Sequence, residues 1–203
     1  MSCVIQTFSG KIVNPLDLRP EDICIEDIAH ALACCNRFAG HVKRPISVAQ
    51  HSIYVSRLCD DTGYELQGLL HDASEAYLGD ITKWLKATPA LQAFRQVEDH
   101  AQKIIYRKFN CTALVSDVVE MADRIMVRFE GGKGFRHFTI DHPNYPPLSA
   151  TEIARVGAWG FWTWRAAEEA FLLRFREIFT ERLQVERSPR GPRGNPPPEA
   201  RRF

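Results

Sequence analysis

The sequence predicts an all-α domain with a small N-terminal β-hairpin. Apolar residues recur at helical spacing in successive segments, and several of these segments begin with residues that favour a helix start. β-Branched and aromatic residues surround Ser9-Gly10 in the stretch VIQTFSGKIV, which is typical of two short strands joined by a turn. Together these patterns indicate about six or seven helices after the hairpin.

The first two helices are predicted from their apolar faces and from one capping pattern. Ile25, Ile28 and Leu32 fall on one face of the first helix. The second helix is expected to begin at SVAQH, where Ser47 and Gln50 have the spacing of a capping box. In that motif each of the two side chains bonds to the backbone of the other residue, so a helix start is fixed there.

Two further helix boundaries come from turn-forming residues. A helix is expected from about Glu65 to the pair Gly79-Asp80, which ends it. Thr88-Pro89 has the order of an N-cap followed by a first-turn proline, which predicts the start of the next helix.

The C-terminal half is expected to contain two more helical segments and a long loop. ALVSDVVEMADRIMVRFEGG has a clear apolar stripe and should end at Gly131-Gly132. Residues 131–148 are rich in Gly and Pro and are predicted to form a loop. The last segment begins with a Ser149/Glu152 capping box and is expected to bend at Gly157 or Gly160.

Composition limits the classes of protein that the chain can belong to. It has 203 residues, 45% of them hydrophobic, and a net charge of +1, as expected for one globular domain over residues 1–183. We expect no stable nucleic-acid complex and no membrane association, since the charge is balanced and no apolar run reaches ~18 residues. A cytoplasmic protein with reduced cysteines is predicted. The Pro/Arg-rich residues 184–203 are expected to be a disordered tail, with a basic docking arm as the alternative.

One stretch combines apolar character with ionisable groups. GLLHDASEAYLGD contains His71, Asp72, Glu75 and Asp80 within ten positions. Buried ionisable groups are costly unless they are paired or bind a metal. The adjacent His71-Asp72 pair supplies one nitrogen and one oxygen, the ligand types that a metal site for phosphoester chemistry needs.

Two other helices place a ligand-type residue on their inward face. His51 lies among apolar residues of the second helix, and Asp123 interrupts the apolar stripe of VVEMADRIMV. A lone histidine on an apolar face is usually a satisfied core residue. Three separate segments that each direct such a group inward favour a metal centre instead.

The pattern H…HD…D, formed by His51, His71-Asp72 and Asp123, resembles the HD-domain metal-dependent phosphohydrolases. NRF…VAQHS…LLHDASEAYLGDITK is similar to the branch that hydrolyses nucleotides, which includes bacterial 5'-deoxynucleotidases and phage dATP triphosphohydrolases. The resemblance covers about residues 25 to 130, and the N-terminal run looks more like the phage proteins. It implies an HD-domain helical bundle.

The resemblance also implies a metal centre and catalytic residues. His51, His71, Asp72 and Asp123 would bind one divalent metal ion, which could be Mn, Co, Mg, Zn or Fe. Glu75 matches the catalytic carboxylate that orients or deprotonates the attacking water, and a solvated helix carboxylate is the alternative. Arg37 matches a catalytic arginine that also holds the substrate phosphate, a role that suits a planar guanidinium.

Other positions match the family's substrate contacts, and two depart from its pattern. Asp80, Ile81, Thr82 and Lys83 match a segment that contacts sugar and phosphate, although Asp80 also suits a helix N-cap. Phe38 replaces a family tryptophan, so it would wall a base or sugar without an indole N–H. Gln50 replaces an acidic residue, which is expected to alter the surroundings of the metal.

The predicted substrate is a deoxynucleotide. Six basic residues offer more positive charge than one phosphate requires: Arg37, His41, Lys43, Arg44, Lys83 and Lys86. This count favours a dNTP triphosphohydrolase that releases nucleoside and triphosphate, and the preference for dATP comes from the resemblance alone. A 5'-deoxynucleotidase acting on dNMPs and a non-catalytic nucleotide sensor are the alternatives. The resemblance further implies a homo-oligomer.

Overall fold

The computed structural model describes residues 3–138 and 143–187, and it confirms the all-α class with an N-terminal hairpin. The hairpin strands are β1 (Ile5–Gln6) and β2 (Ile12–Val13). The helices are α1 (Ile25–Cys34), α2 (Val48–Leu58), α3 (Glu65–Leu70), α4 (Glu75–Leu78), α5 (Lys83–Lys86), α6 (Gln92–Lys108), α7 (Asp117–Gly134), α8 (Ala150–Val156) and α9 (Trp164–Arg187). Phe38–Gly40 and Pro89–Leu91 form short 3₁₀ turns, the second leading directly into α6.

The hairpin forms where the sequence predicts it and is anchored to α1. The strands pair antiparallel, with Ile5 opposite Val13, and Gly10 supplies the positive φ of the turn. The backbone N–H and the hydroxyl of Ser9 both donate hydrogen bonds to the buried carboxylate of Asp27 in α1. A buried carboxylate is therefore satisfied by the turn that it holds in place.

Helix α2 lies at the centre of the fold. It contacts α1, α3, α7, α8 and α9, and nearly all of its residues are buried. A helix that is buried on every face belongs in the core, so any polar side chain that it carries is forced into the interior. This position explains why His51 is completely buried.

The capping predictions are confirmed in part. The Ser47 hydroxyl accepts the N–H of Gln50 at the start of α2, and Ser149 with Glu152 forms a complete capping box at the start of α8. The Gln50 side chain does not return to Ser47, because it donates to the carbonyl of Gly160 and accepts from the N–H of Trp162. It therefore fixes the α8–α9 connection to α2.

Three helix boundaries differ from the sequence prediction. The helix expected to run from Glu65 to Gly79 is interrupted, since α3 ends at Leu70 and α4 begins at Glu75. Helix α7 continues through the expected stop at Gly131-Gly132 as far as Gly134. The expected bend near Gly157 is a complete break, where Gly157 has a φ of 64° and ends α8.

Parts of two predicted segments lie outside the described residues. The loop predicted over 131–148 is described except for 139–142, and its first residues are helical. Helix α9 includes 184–187, and the rest of the predicted tail, 188–203, lies outside the described residues. Within the described part of the chain, the helices are too short or too polar to cross a membrane.

Candidate metal centre and cleft

Two histidines and an aspartate converge in the interior of the described structure. The Nε2 atoms of His51 and His71 lie 3.3 Å apart, and Asp72 Oδ2 lies 3.2 Å from His71 Nε2. The three ligand atoms all lie within 4.8 Å of one another. Ligand atoms around a single ion are about 3.0–3.4 Å apart when metal–ligand bonds measure about 2.1 Å. This group could therefore hold a metal ion.

The break between α3 and α4 allows His71 and Asp72 to face one point. Backbone bonds from Ala73 to Leu70 and from Glu75 to Asp72 join residues three apart, so the chain winds more tightly than an α-helix. On a regular helix adjacent side chains point about 100° apart. The tight turn places both side chains next to His51 despite their adjacency.

Gln102 of α6 stabilises this break. Its amide oxygen accepts the N–H of Ser74 at 3.0 Å, and its amide nitrogen donates to the carbonyl of Leu70 at 2.6 Å. An interrupted helix leaves backbone groups without intrahelical partners, which is costly in the interior. Gln102 satisfies one group on each side of His71 and Asp72, a role that sequence analysis did not assign to it.

Both imidazoles are oriented through their other ring nitrogen. His71 Nδ1 lies 2.8 Å from the carbonyl of Gly68, and His51 Nδ1 lies 3.1 Å from Glu130 Oε2. A carbonyl oxygen only accepts hydrogen bonds, so His71 Nδ1 carries a hydrogen and Nε2 is the ring nitrogen that faces the cluster. Partners of this kind hold the metal-binding nitrogens of proteins in place.

Asp123 of α7 joins the same cluster. Its Oδ1 lies 3.2 Å from His51 Nε2 and 4.0 Å from His71 Nε2. Burial opposes ionisation of this carboxyl, but the hydrogen bond and charge of His51 outweigh it and lower the pKa of Asp123 to about 2. The structure thus brings together the four side chains predicted as metal ligands.

Glu130 is a fully buried carboxylate that sequence analysis missed. Its Oε2 accepts from His51 Nδ1 and lies 3.0 Å from Arg37 Nε. Arg37 also donates from Nη1 to Asp72 at 3.4 Å. Glu130 follows Asp123 by seven residues, which is two helical turns, so its position on the inward face was readable from spacing. Glu130 is thus an acidic residue in contact with the cluster. Gln50, which stands where the family has an acidic residue, binds the α8–α9 connection instead.

The electrostatic field of the centre favours positive charge. Burial and the Arg37 charge oppose protonation of His51, yet the carboxylates of Glu130 and Asp123 raise its pKa to about 9. Burial would raise the pKa of Asp72, but the charge and hydrogen bond of His71 hold it far below its ordinary value. The same buried carboxylates would favour a bound metal cation, which would take the place of the proton on the histidine nitrogen.

Glu75 lies at the start of α4 with its carboxyl group buried. Its Oε2 has no hydrogen-bond partner among the described residues, and its Oε1 lies 3.7 Å from Lys86 Nζ. Burial, followed by the charges of Asp72 and Asp80, raises the pKa of Glu75 well above its ordinary value. Lys86 is itself held by Glu98 at 2.8 Å. The free oxygen can accept a proton.

A cleft of about 620 Å³ opens above this cluster. The predicted catalytic and substrate-contacting residues line it together with two of the four metal-ligand candidates: Arg37, Phe38, Glu75, Asp80, Ile81, Thr82, Lys83, Asp72 and Asp123. Its volume falls within the range of small-molecule sites. The resemblance thus selected residues that share one cavity, although they span almost ninety positions of sequence.

The backbone next to the cleft is strained. Phe38 and Ala39 have φ values of 57° and 50°, a region that residues with a Cβ rarely adopt. The Phe38 ring meets Phe135 edge-on at 5.2 Å, and the Arg37 guanidinium lies 5.3 Å from the centre of the Phe38 ring.

Asp80 does not cap α5, since Thr82 occupies that position. It remains a cleft residue.

The predicted cations are divided between the cleft and the surface. Arg37, Lys83 and Lys86 line the cleft, and so does Arg95, which was not predicted. His41, Lys43 and Arg44 are not among its lining residues. The guanidinium of Arg44 lies over the ring of Phe161 instead. Six carboxylates line the same space: Asp72, Glu75, Asp80, Glu98, Asp99 and Asp123. The described cleft therefore has more acidic than basic side chains.

Fold and site together define a helical protein with a buried histidine–carboxylate centre at the base of a cleft. The chain belongs to the family of the uncharacterized protein YfdR of Escherichia coli (strain K12), to which it is 37% identical over 156 residues. That alignment covers 75% of this chain and 84% of YfdR. The chain is also 32% identical over 134 residues to the uncharacterized protein RCAP_rcc00048 of Rhodobacter capsulatus, covering 60% of this chain and 68% of the relative. No protein-family model matches the sequence.

Proposed function

We propose that this protein is a metal-dependent phosphohydrolase that acts on deoxynucleotides. One observation carries the proposal: the cleft that opens on Asp72 and Asp123 is also lined by Glu75 and Arg37. A phosphomonoester hydrolase needs a cation site, a group that manages the proton of water, and a cation for the phosphate. These parts share one cavity.

The donor set fits a single divalent cation. His51 and His71 offer two nitrogens whose orientation is fixed through Nδ1, and Asp72 and Asp123 offer carboxylate oxygens. Such a mixture accommodates Mn, Co, Fe, Zn or Mg to different degrees. When bound, the ion supplies Lewis-acid polarisation of the phosphoryl group and makes water a stronger acid.

The remaining steps are performed by side chains of the cleft. As the water oxygen forms its bond to phosphorus, Glu75 accepts the water proton through its unpartnered Oε2, and this proton passes to the 5'-oxygen of the nucleoside as its bond to phosphorus breaks. Arg37 is held by Glu130 and Asp72, so its guanidinium is positioned before substrate arrives and neutralises charge on the phosphate without a large rearrangement. Lys83 adds a second cation along the same wall.

The charge of the cleft bears on the length of the phosphate chain. Four basic and six acidic side chains line it among the described residues. One divalent ion offsets this excess of carboxylates but leaves little positive charge for three phosphates. A deoxynucleoside 5'-monophosphate is thus the substrate that the geometry supports best, with release of nucleoside and orthophosphate. A dNTP, with release of nucleoside and triphosphate, is the second candidate, supported by the resemblance to the phage enzymes.

The test uses the purified protein with dAMP or dATP and with Mn²⁺, Co²⁺ or Mg²⁺. Ion chromatography distinguishes orthophosphate from tripolyphosphate, and a chelator provides the metal-free control. The Glu75→Gln variant keeps the size of the side chain and removes its charge, so hydrolysis should fall by about 10²- to 10⁴-fold. Glu120→Gln, on the exposed face of α7, is the matched control.

Calorimetric titration of the same nucleotides, run beside this assay, separates hydrolysis from a sensor role. Nucleotide binding without turnover in every metal would favour the non-catalytic sensor. Turnover that is unaffected by Glu75→Gln would reject the assigned proton acceptor.

A further inference from the structure

Trp84 is a large apolar side chain exposed within the cleft. It belongs to α5 and is 69% exposed, although a tryptophan offers one of the largest apolar surfaces of any residue. Trp159 contacts Phe129 and Phe161, Trp162 contacts Tyr54, and Trp164 meets His30 edge-on. Among the described residues, Trp84 has no comparable ring partner. Its exposed face is available to a ligand.

The backbone that carries Trp84 is well anchored even though the side chain is exposed. The first turn of α5 is closed by bonds from Leu85 and Lys86 to the carbonyl of Thr82. Lys86 is paired with Glu98 of α6, and Arg95 of α6 donates to the carbonyls of Lys86 and Thr88. The indole of Trp84 is therefore carried by a backbone segment that hydrogen bonds and an ion pair hold in place.

The surroundings of Trp84 indicate what it would contact. The cleft has a polar end near Asp72, Asp123 and Arg37, which suits a phosphate and a cation. Lys83 and Trp84 are consecutive and line the same cavity, so one short segment offers a cation for phosphate and a flat ring beside it. A nucleotide that places its phosphate at the polar end must direct its base away from it. A base has an apolar face that stacks on aromatic side chains.

Phe38 is less available for this role. Its ring is contacted by the Arg37 guanidinium and by the edge of Phe135, and Phe135 in turn stacks on Phe138. These contacts make Phe38 part of a packed aromatic wall. Of the aromatic residues that line the described cleft, which also include Phe135 and Tyr145, Trp84 is the most exposed.

We propose that Trp84 forms a nucleobase-stacking subsite of the cleft. This inference rests on the proposed nucleotide-hydrolysing function and goes beyond the contacts that the resemblance implies. Because stacking accepts every base, the subsite tolerates purines and pyrimidines, and it binds purines more strongly through their larger rings.

The test compares a ligand with a base and one without. Deoxyadenosine 5'-monophosphate and 2-deoxyribose 5-phosphate share the sugar phosphate, and only the first can stack. Trp84→Ala should raise KM for the nucleotide about 5- to 150-fold, the effect of removing one stacked base, and should leave the constants for the sugar phosphate unchanged. Trp84→Phe should retain most of the affinity. Leu85→Ala, at the adjacent exposed position that does not line the cleft, is the matched control.

Calorimetric binding of the same two ligands, with Mn²⁺ present, separates this inference from the proposed function. If the wild-type protein hydrolyses neither ligand but Trp84→Ala still weakens nucleotide binding selectively, the subsite stands and the hydrolase proposal fails. If hydrolysis occurs and Trp84→Ala affects both ligands equally, or neither, the subsite is rejected while the hydrolase proposal stands. Failure of the wild-type protein to bind the nucleotide at all would reject both.

Discussion

Replacing Gln102 with methionine should destabilise the fold and loosen the candidate metal centre. The two residues have similar volume, but methionine cannot bond to the N–H of Ser74 or the carbonyl of Leu70, which are both buried. The Leu70 carbonyl keeps the bond from the Ala73 N–H, so the Ser74 N–H is the group that loses its partner. An orphaned buried polar group costs about 1–3 kcal/mol, and we expect a loss of that size in the free energy of unfolding. For a chain of this size that corresponds to a fall of about 2–12 °C in Tm.

Two measurements check this prediction. Urea unfolding followed by circular dichroism gives the change in stability, and calorimetric titration with Mn²⁺ reports the metal affinity of the centre. Gln96→Met, on an exposed face of the same helix, is the control and should change neither. A loss of less than about 0.5 kcal/mol in Gln102→Met, within the usual effect of a surface substitution, would refute the assigned role of this amide.

Three further changes follow from individual contacts. Glu130→Gln weakens the hydrogen bond that orients an imidazole of the centre, so Mn²⁺ affinity measured by calorimetry should fall about 10- to 100-fold, while Glu120→Gln on the exposed face of α7 leaves it unchanged. Gly79 has φ 80° and ψ 156°, and an added Cβ meets no atom within 4 Å, so Gly79→Ala should cost about 1–3 kcal/mol in urea unfolding through backbone strain alone; a neutral result would contradict that geometry. Burial, with neighbouring carboxylates, raises the pKa of Cys59 to about 12, so iodoacetamide at pH 8 should modify exposed Cys3 but spare Cys59 until urea is added, as peptide mass spectrometry would show.

Local patterns predicted most of the helical framework. The apolar face of α1, the Ser47 cap of α2 and the Ser149/Glu152 box of α8 all occur where spacing placed them. These features depend on residues within one or two turns of each other, so a single sequence contains the relevant information.

The helix boundaries that were wrong depend on distant contacts. LLHDASEAYL contains neither Gly nor Pro, and its interruption is supported by Gln102, about thirty residues later. Gly131 was interpreted as a helix stop, but α7 continues to Gly134, and the missing side chain of Gly131 leaves room for the ring of Phe138 to pack against the helix. A Cβ there would overlap that ring. The missing side chain of Gly131 therefore allows close packing of Phe138 and does not end the helix.

The candidate site was predicted through the family resemblance, and the structure adds what holds it in place. Spacing alone placed His51 and Asp123 on inward faces, and their convergence with His71 and Asp72 depends on how α2 and α7 pack. Glu130 was overlooked because a single glutamate in a helix is usually a solvated residue. The sequence shows that Glu130 lies two helical turns after Asp123, on the same face of the helix. Its burial, however, depends on contacts with distant residues that no local pattern encodes.

The arrangement of charges in this interior indicates function rather than stability. The Nε2 atoms of two imidazoles face each other at 3.3 Å with the carboxylates of Asp72 and Asp123 beside them, and Glu130 contacts the other ring nitrogen of His51. Buried charges are often replaceable by apolar residues without loss of stability, so packing alone gives no reason for such a cluster. Arg37 offsets part of the negative charge but lies to one side, against Glu130 and Asp72. A cation bound by the two Nε2 atoms, Asp72 and Asp123 would give these four side chains a common partner, while Glu130 holds His51 through its Nδ1.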